Sequence, residues 1–409
     1  MDRWRAGKGK PLAKTTAQIL RDYRGPALFS FGFRPFFLLA ALWAAVAMPL
    51  WILAFLGSPF GPGSIFTTDW HVHEMLFGYS GAVIVGYMTV AGANWTGHYP
   101  VAGRPIVLLT ALWIAGRAAM LGYGVLGPIA AAIDAAFLLV FALALWREQL
   151  AASNWRNLGP CLVVSLLAIA NIAFHARMVM PDLGAAAERM AIGLITFLIA
   201  LMGGRLVPSF TRNWMARHKR EPEPAPYDRF DTVALGVTGI ALALWVALPG
   251  KLLSGALLAL AGLALLLRLL RWRGWVATSD GMLLVLHLGY LWCALGLALL
   301  GASLLAPAIV PGSAAIHALT AGAIGVMTLA VMTRTSRSHT GRAREADKAT
   351  LLIYASVNAA AALRVAAAFI PLFYAELLLL SVAGWSLAFG LFVLSYGPML
   401  LRPRYRRAS

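Results

Sequence analysis

The chain has 409 residues, of which 60% are hydrophobic and only 12% charged, with a formal net charge of +18. Its mean hydropathy of +0.76 excludes an ordinary soluble domain and points to a polytopic α-helical membrane protein. A basic excess alone would fit nucleic acid, but in so apolar a chain the placement of the charges matters more than their sum, and no nucleic-acid partner is expected.

Residues 1–33 read as a basic, polar tail, and the apolar run Phe36–Leu56 after it is too long for a cleaved signal peptide. At about 20 apolar residues per crossing, spans fall near 34–56, 71–93, 104–123, 127–146, 159–179 and 188–210 in the first half. The second half gives 231–249, 252–271, 281–305, 313–333, 350–370 and 374–400. The expected fold class is therefore all-α, about twelve transmembrane helices in a single domain over 34–400, with a short tail at 401–409. The only Pro-rich hydrophilic linker, EPEPAP at Glu221–Pro226, lies in the connection 211–230.

Basic residues alternate along this scheme. They crowd into the N-terminal tail (Arg3, Arg5, Lys8, Lys10, Lys14, Arg21, Arg24), the sixth-to-seventh connection (Arg212, Arg217, Lys219, Arg220, Arg229) and the tenth-to-eleventh (Arg334, Arg337, Arg342, Arg344, Lys348). Arg268, Arg271 and Arg273 between the eighth and ninth spans and Arg402, Arg404, Arg406 and Arg407 complete the set. The opposite connections, such as Gly57–Asp69, Gly124–Pro128 and Ala306–Gly312, are almost free of Lys and Arg. The asymmetry predicts cytoplasmic termini and a cytoplasmic 211–230 loop.

A faint internal echo accompanies this order. The second, sixth and tenth spans each carry a polar residue five positions before a glycine, namely His73 and Gly78, Glu188 and Gly193, and His317 and Gly322. Arg117 and Arg364 follow His73 and His317 at similar separations. The pattern suggests three pseudo-repeated groups of four helices.

Ionisable residues within membrane spans are expensive and usually bind something, and neutral imidazole suits haem iron and copper. With the N-terminus inside, His71, His73, Glu74 and His317 open the second and tenth spans at the outer side, and His175 and Glu188 share that depth. His73 and His317 are the expected pair of ligands for a b-type haem, or one its ligand with the other close by, and Arg117 and Arg364 are read equally as cations for its propionates or as structural residues paired with Asp134 or backbone carbonyls. Residues 71 and 73 lie about 200° apart around a helix, so at most one of the two faces a given ligand. His71 and His175 are read as second-site copper ligands or hydrogen-bonding partners of the first. His287, near the inner end of the ninth span, is read as a packed hydrogen-bonding residue or part of a separate inner site, and His98 and His339 as interfacial. Cys161 and Cys293 lie far apart and in no Cys-x-x-Cys-His context, so covalently attached haem is not expected.

Several long strings bear a specific likeness: FGFRPFFLLAALW (Phe31–Trp43), WHVHEMLFG (Trp70–Gly78), NWTG (Asn94–Gly97), NWRN (Asn154–Asn157), GGRLVPSFTRN (Gly203–Asn213), LRWRGW (Leu270–Trp275), LHLGYLW (Leu286–Trp292) and IHALTAGAIGVMTLAVMTRTSRSHTGR (Ile316–Arg342). From about Phe31 to Pro403 the chain resembles the NnrS family. The resemblance implies a bacterial inner-membrane protein containing haem and copper, linked to denitrification, nitric oxide and nitrosative stress. The family's histidines map onto His71, His73, His175, His287, His317 and His339.

A weaker, fold-level similarity connects the chain to subunit I of haem-copper oxidases and nitric oxide reductases. Those enzymes need a histidine on the sixth helix and a His-His pair after the seventh. Here Glu188 opens the sixth span and no histidine lies between His218 and His287, so any copper must be bound differently.

The expected function is thus a haem-binding membrane protein that takes nitric oxide or a related small ligand and draws on an unidentified electron donor. A membrane transporter, or a haem or copper delivery factor, is the alternative. Major-facilitator carriers repeat by six helices and carry a basic Gly/Asp/Arg signature after the second, which TGHYPVAGRP (Thr96–Pro105) does not reproduce.

Overall fold

The structure is a computed structural model describing residues 23–57, 65–96, 101–151 and 158–405. His98, the string NWRN, Arg406, Arg407, most of the connection 57–69 and all the basic residues of the tail before Arg24 lie outside the described residues. Among the described residues every regular element is helical, and twelve helices are long and apolar enough to cross a membrane.

In chain order these are α1 (Phe33–Phe55), α2 (Thr68–Gly92), α3 (Arg104–Leu121), α4 (Pro128–Ala151), α5 (Leu158–Met178) and α6 (Pro181–Arg217). They continue as α7 (Arg229–Ala247), α8 (Leu252–Leu270), α9 (Gly281–Leu305), α10 (Gly312–His339), α11 (Lys348–Phe369) and α12 (Pro371–Leu401). All twelve expected spans are present.

The helix starts have local causes. The side chain of Thr67 accepts from the Trp70 amide ahead of α2, and Asp280 and Asp347 cap α9 and α11. Asp228 and Asp231 form a reciprocal capping box at α7. α6 departs most from its expected 188–210: Pro181 occupies its first turn, where a missing N–H costs nothing, and the helix runs 37 residues. At about 1.5 Å per residue it is roughly 55 Å long, well beyond an apolar slab of about 30 Å. Hydropathy sees only its middle, because the ends carry Asp182 and Glu188 on one side and Arg212 and Arg217 on the other.

Neighbours in sequence pack as neighbours in space, α3 on α4, α7 on α8, α8 on α9 and α11 on α12, and α12 returns to α1. Arg34, buried at the start of α1, closes that junction by donating to the carbonyls of Leu400 (2.8 Å) and Arg402 (2.7 Å). The three spans picked out by the sequence echo are also the most enclosed: 83% of the apolar window of α2 and 67% of those of α6 and α10 are buried, against 44% for α1 and 39% for α3 and α4.

Two of these inner helices are locally unwound to a π-helical turn, at Glu74–Tyr79 in α2 and Ala318–Ile324 in α10, each beginning directly after a histidine. Such turns add a residue to the helical circuit and re-aim the side chains around them. α6 contains no such turn.

Candidate functional site

Where α2, α6, α10 and α12 begin, a cavity of about 390 Å³ lies among them with walls from α1 and α11. Its lining is mostly apolar and aromatic, including Trp51, Tyr79, Ile192 and Trp385. Two imidazoles and a guanidinium interrupt it: His71, His317 and Arg364.

Each is held with an unused donor or lone pair. His71 stacks on Trp51, ring centroids 4.0 Å apart and 17° from parallel, and its buried Nδ1 has no partner among the described residues. His317 sets Nδ1 2.8 Å from the Ser313 carbonyl on its own helix. A carbonyl only accepts, so Nδ1 carries the hydrogen and the lone pair is on Nε2. The buried Nη1 of Arg364 likewise lacks a partner. Glu188 also lines the cavity, but its carboxylate is engaged by Arg177 at 2.7 Å, which binds Asp69 at 3.0 Å as well.

His73 is elsewhere. The expectation that it faces His317 is corrected: His71 occupies that position, and His73 points to the other side of α2, as two residues separated by about 200° must. Its Nδ1 lies 3.0 Å from Glu74 Oε1, and its Nε2 3.0 Å from Asp134 Oδ2 and 3.1 Å from Asn171 Oδ1. Asp134 Oδ2 further accepts from Asn171 Nδ2 (2.9 Å) and meets His175 Nε2 (3.0 Å).

Arg117 follows the second of its two readings, paired with Asp134 rather than serving a propionate. It does not line the cavity but bridges the two carboxylates, bonding Glu74 Oε2 at 2.5 Å and Asp134. Trp43 Nε1 donates the remaining bond to Glu74 Oε2 at 2.6 Å. The knot therefore draws on α1 through α5. Each ring nitrogen of His73 faces a carboxylate oxygen, a geometry satisfied when both carry hydrogen. The two carboxylates are then balanced by His73 and Arg117, which is how buried charge is tolerated in a bilayer. Gly78 makes room for this: a Cβ there would lie 2.2 Å from Arg117 Nη1 and 2.8 Å from Glu74 Oε2.

His73, Asp134 and His175 also present three donor atoms mutually within 4.8 Å, the one group of three possible metal ligands among the described residues. A cation there would have to replace hydrogen bonds that Asp134 already makes.

The remaining expected ligands stand apart. His287 is buried on α9, its Nε2 3.0 Å from Thr211 Oγ1, and Gly274 lies so close that a Cβ would come within 2.4 Å of its Nδ1. His339, at the far end of α10, packs against Phe31 and Phe33 with centroids 5.9 and 5.6 Å away. Neither joins the cavity or the knot.

Sequence reasoning missed Asn171, Trp43, Trp51 and Tyr79, and gave Asp134 only as a possible partner of Arg117. Signals existed for two of them: Asp134 is an acid within a membrane span, and Asn171 stands four residues before His175 on the same helix face.

An apolar cavity with two imidazoles and an unpaired guanidinium suits a flat apolar ligand that carries a metal and a carboxylate. No curated protein sequence matches the chain. A family profile described as NnrS protein matches residues 27–404, nearly the whole chain, and the chain belongs to the NnrS family.

Proposed function

We propose that the protein binds a b-type haem in the cavity shared by His71 and His317 and handles nitric oxide there. The observation that carries this reading is that two imidazoles from distant parts of the chain offer unused nitrogens to one apolar cavity that also holds an unpaired arginine. The residues present fit the group: His71 and His317 as ligands, and Arg364 as the cation for a propionate. When bound, haem iron supplies a centre that takes small diatomic ligands and exchanges electrons.

The chain's own residues do the positioning. Trp51 fixes the plane of His71, and the Ser313 carbonyl fixes the tautomer and orientation of His317, as outer partners of metal-binding histidines commonly do. The aromatic and aliphatic walls exclude water. The knot on the other side of α2 holds the π-turn and with it the rotation of His71.

The distribution of basic residues supports an outward-facing cavity. Arg212, Arg217, Lys219, Arg220, Arg271, Arg273, Arg342 and Arg344 lie at the end opposite the cavity, which the positive-inside rule assigns to the cytoplasm. The copper that the family resemblance implies has its best donors in His73, Asp134 and His175.

The test is visible absorption of the detergent-purified full chain together with iron and copper analysis. The reading predicts a Soret band with iron in stoichiometric amount, retained through gel filtration. A colourless protein that moves a solute would favour the transport reading, and rapid haem loss to an acceptor would favour delivery.

A further inference from the structure

A second, smaller cavity of about 70 Å³ continues the first along the same three inner helices. One turn beyond Tyr79, Ile192 and Ile324, which line the larger cavity, stand Val83, Ile195 and Thr328, which line the smaller. The rest of its wall is Leu, Ile, Val and Met apart from Gly203 and Tyr87. Tyr87, Leu206 and Val331, at its far end, are half-buried, whereas Val83 and Ile195 are buried. Where the two linings adjoin, the hydroxyls of Tyr79 and Thr328 are hydrogen-bonded to each other across α2 and α10. Tyr79 is otherwise packed on Trp385 and Phe389, and Thr328 keeps bonds to its own helix at Ile324 and Gly325. The cross-helix bond is thus the part that opens without unpacking either helix.

We infer that this crevice is a passage for small uncharged gas molecules into the His71/His317 cavity, with the Tyr79–Thr328 bond as its gate. This rests on the haem reading above for what lies at its end. The occupant follows from the walls: a space this small and apolar is dry, takes apolar atoms such as xenon, and rejects ions and hydrogen-bonding solutes. A nonpolar diatomic dissolves in the bilayer and needs no polar mouth. Charged groups such as Arg177, Asp69 and Glu188 instead stand at the cavity's other side, where a polar ligand would have to pass.

Two measurements on the purified full chain test the passage. Xenon under pressure, read by methyl NMR, is expected to shift Val83, Ile195 and Val207 and to leave methyls of the outer face, such as Leu108, in place. No shift at the crevice methyls overturns the proposal. Carbon monoxide recombination after flash photolysis of the reduced, haem-loaded protein reads the route. Val83→Phe and Ile195→Phe are expected to slow the bimolecular phase several-fold with the carbonyl absorption spectrum unchanged, and Tyr79→Phe to quicken it. Unaltered rates in all three variants overturn the passage even where xenon binds. A chain that purifies without haem overturns the parent reading and the destination of the passage with it, while the xenon result separately decides whether the crevice admits apolar atoms.

Discussion

His71 and His73, two residues apart on α2, serve opposite sides of that helix: His71 stacks on Trp51 in the cavity, and His73, fully buried, sits between Glu74 and Asp134 in a charged knot. The two imidazoles therefore have different physical tasks. One keeps a nitrogen unused; the other uses both.

The knot should behave as a unit whose parts cannot be removed singly. Arg117→Met leaves two buried carboxylates with one cation, and removing one partner of such a set costs roughly 3 to 5 kcal/mol. Thermal unfolding of the purified variant should fall sharply. Asp134→Asn combined with Arg117→Met should recover part of the loss, because the double change removes one charge of each sign. A stability no lower than wild type in Arg117→Met would show that the ion pairs carry no weight.

Gly78→Ala tests the same packing sterically. The added methyl would meet the Arg117 guanidinium, and the surrounding bonds would have to lengthen, at a cost of about 1 to 3 kcal/mol. Because the knot sets the rotation of α2, the variant should also broaden or shift the haem absorption. Differential scanning fluorimetry with parallel absorption spectra reads both effects.

Arg364→Met should weaken the hold on haem without unfolding the bundle, since Arg364 is half-buried and has an unpartnered Nη1. Losing one charge-assisted bond of about 1.5 kcal/mol corresponds to roughly tenfold faster or weaker exchange. Haem transfer to apomyoglobin measures it. Arg117→Met should instead act mainly on stability.

At the basic end, the Asp228 carboxyl that caps α7 is lowered to about 2, chiefly by its hydrogen bond from the Arg271 guanidinium. A carboxyl depressed in the folded chain adds stability that is present above its ordinary value of 3.8 and is lost as pH falls towards about 2. Protection of the first-turn amides of α7 against hydrogen exchange, taken relative to the intrinsic rate at each pH, should accordingly fall over that interval in wild type. In Asp228→Asn the protection should be lower at neutral pH and nearly constant through the same range.

The fold was legible because each span is a continuous apolar run, and the ends of α6 were hidden because charge outside the bilayer carries no hydropathy signal. Of the residues that line the cavity, His317 and Arg364 were expected together, and His71 stands where His73 was expected. Spacing alone establishes that His71 and His73 diverge, but the choice between them is made by Asp134, Asn171 and Arg117 on α3 to α5, which draw His73 away from the cavity. The π-turn after His73 was equally invisible, since nothing in EMLFGY distinguishes it from an ordinary helical turn. Arg117 stayed open between a propionate and Asp134 for a related reason: its depth matched that of Arg364, and depth does not say which neighbour an arginine meets.

The most direct measurement is the Soret absorbance per chain of His71→Ala, His317→Ala and His73→Asn, purified side by side and normalised to folded protein. The account predicts loss of the band in the first two and its survival, at lower protein stability, in the third. A band that survives in His71→Ala and disappears only in His73→Asn would contradict it.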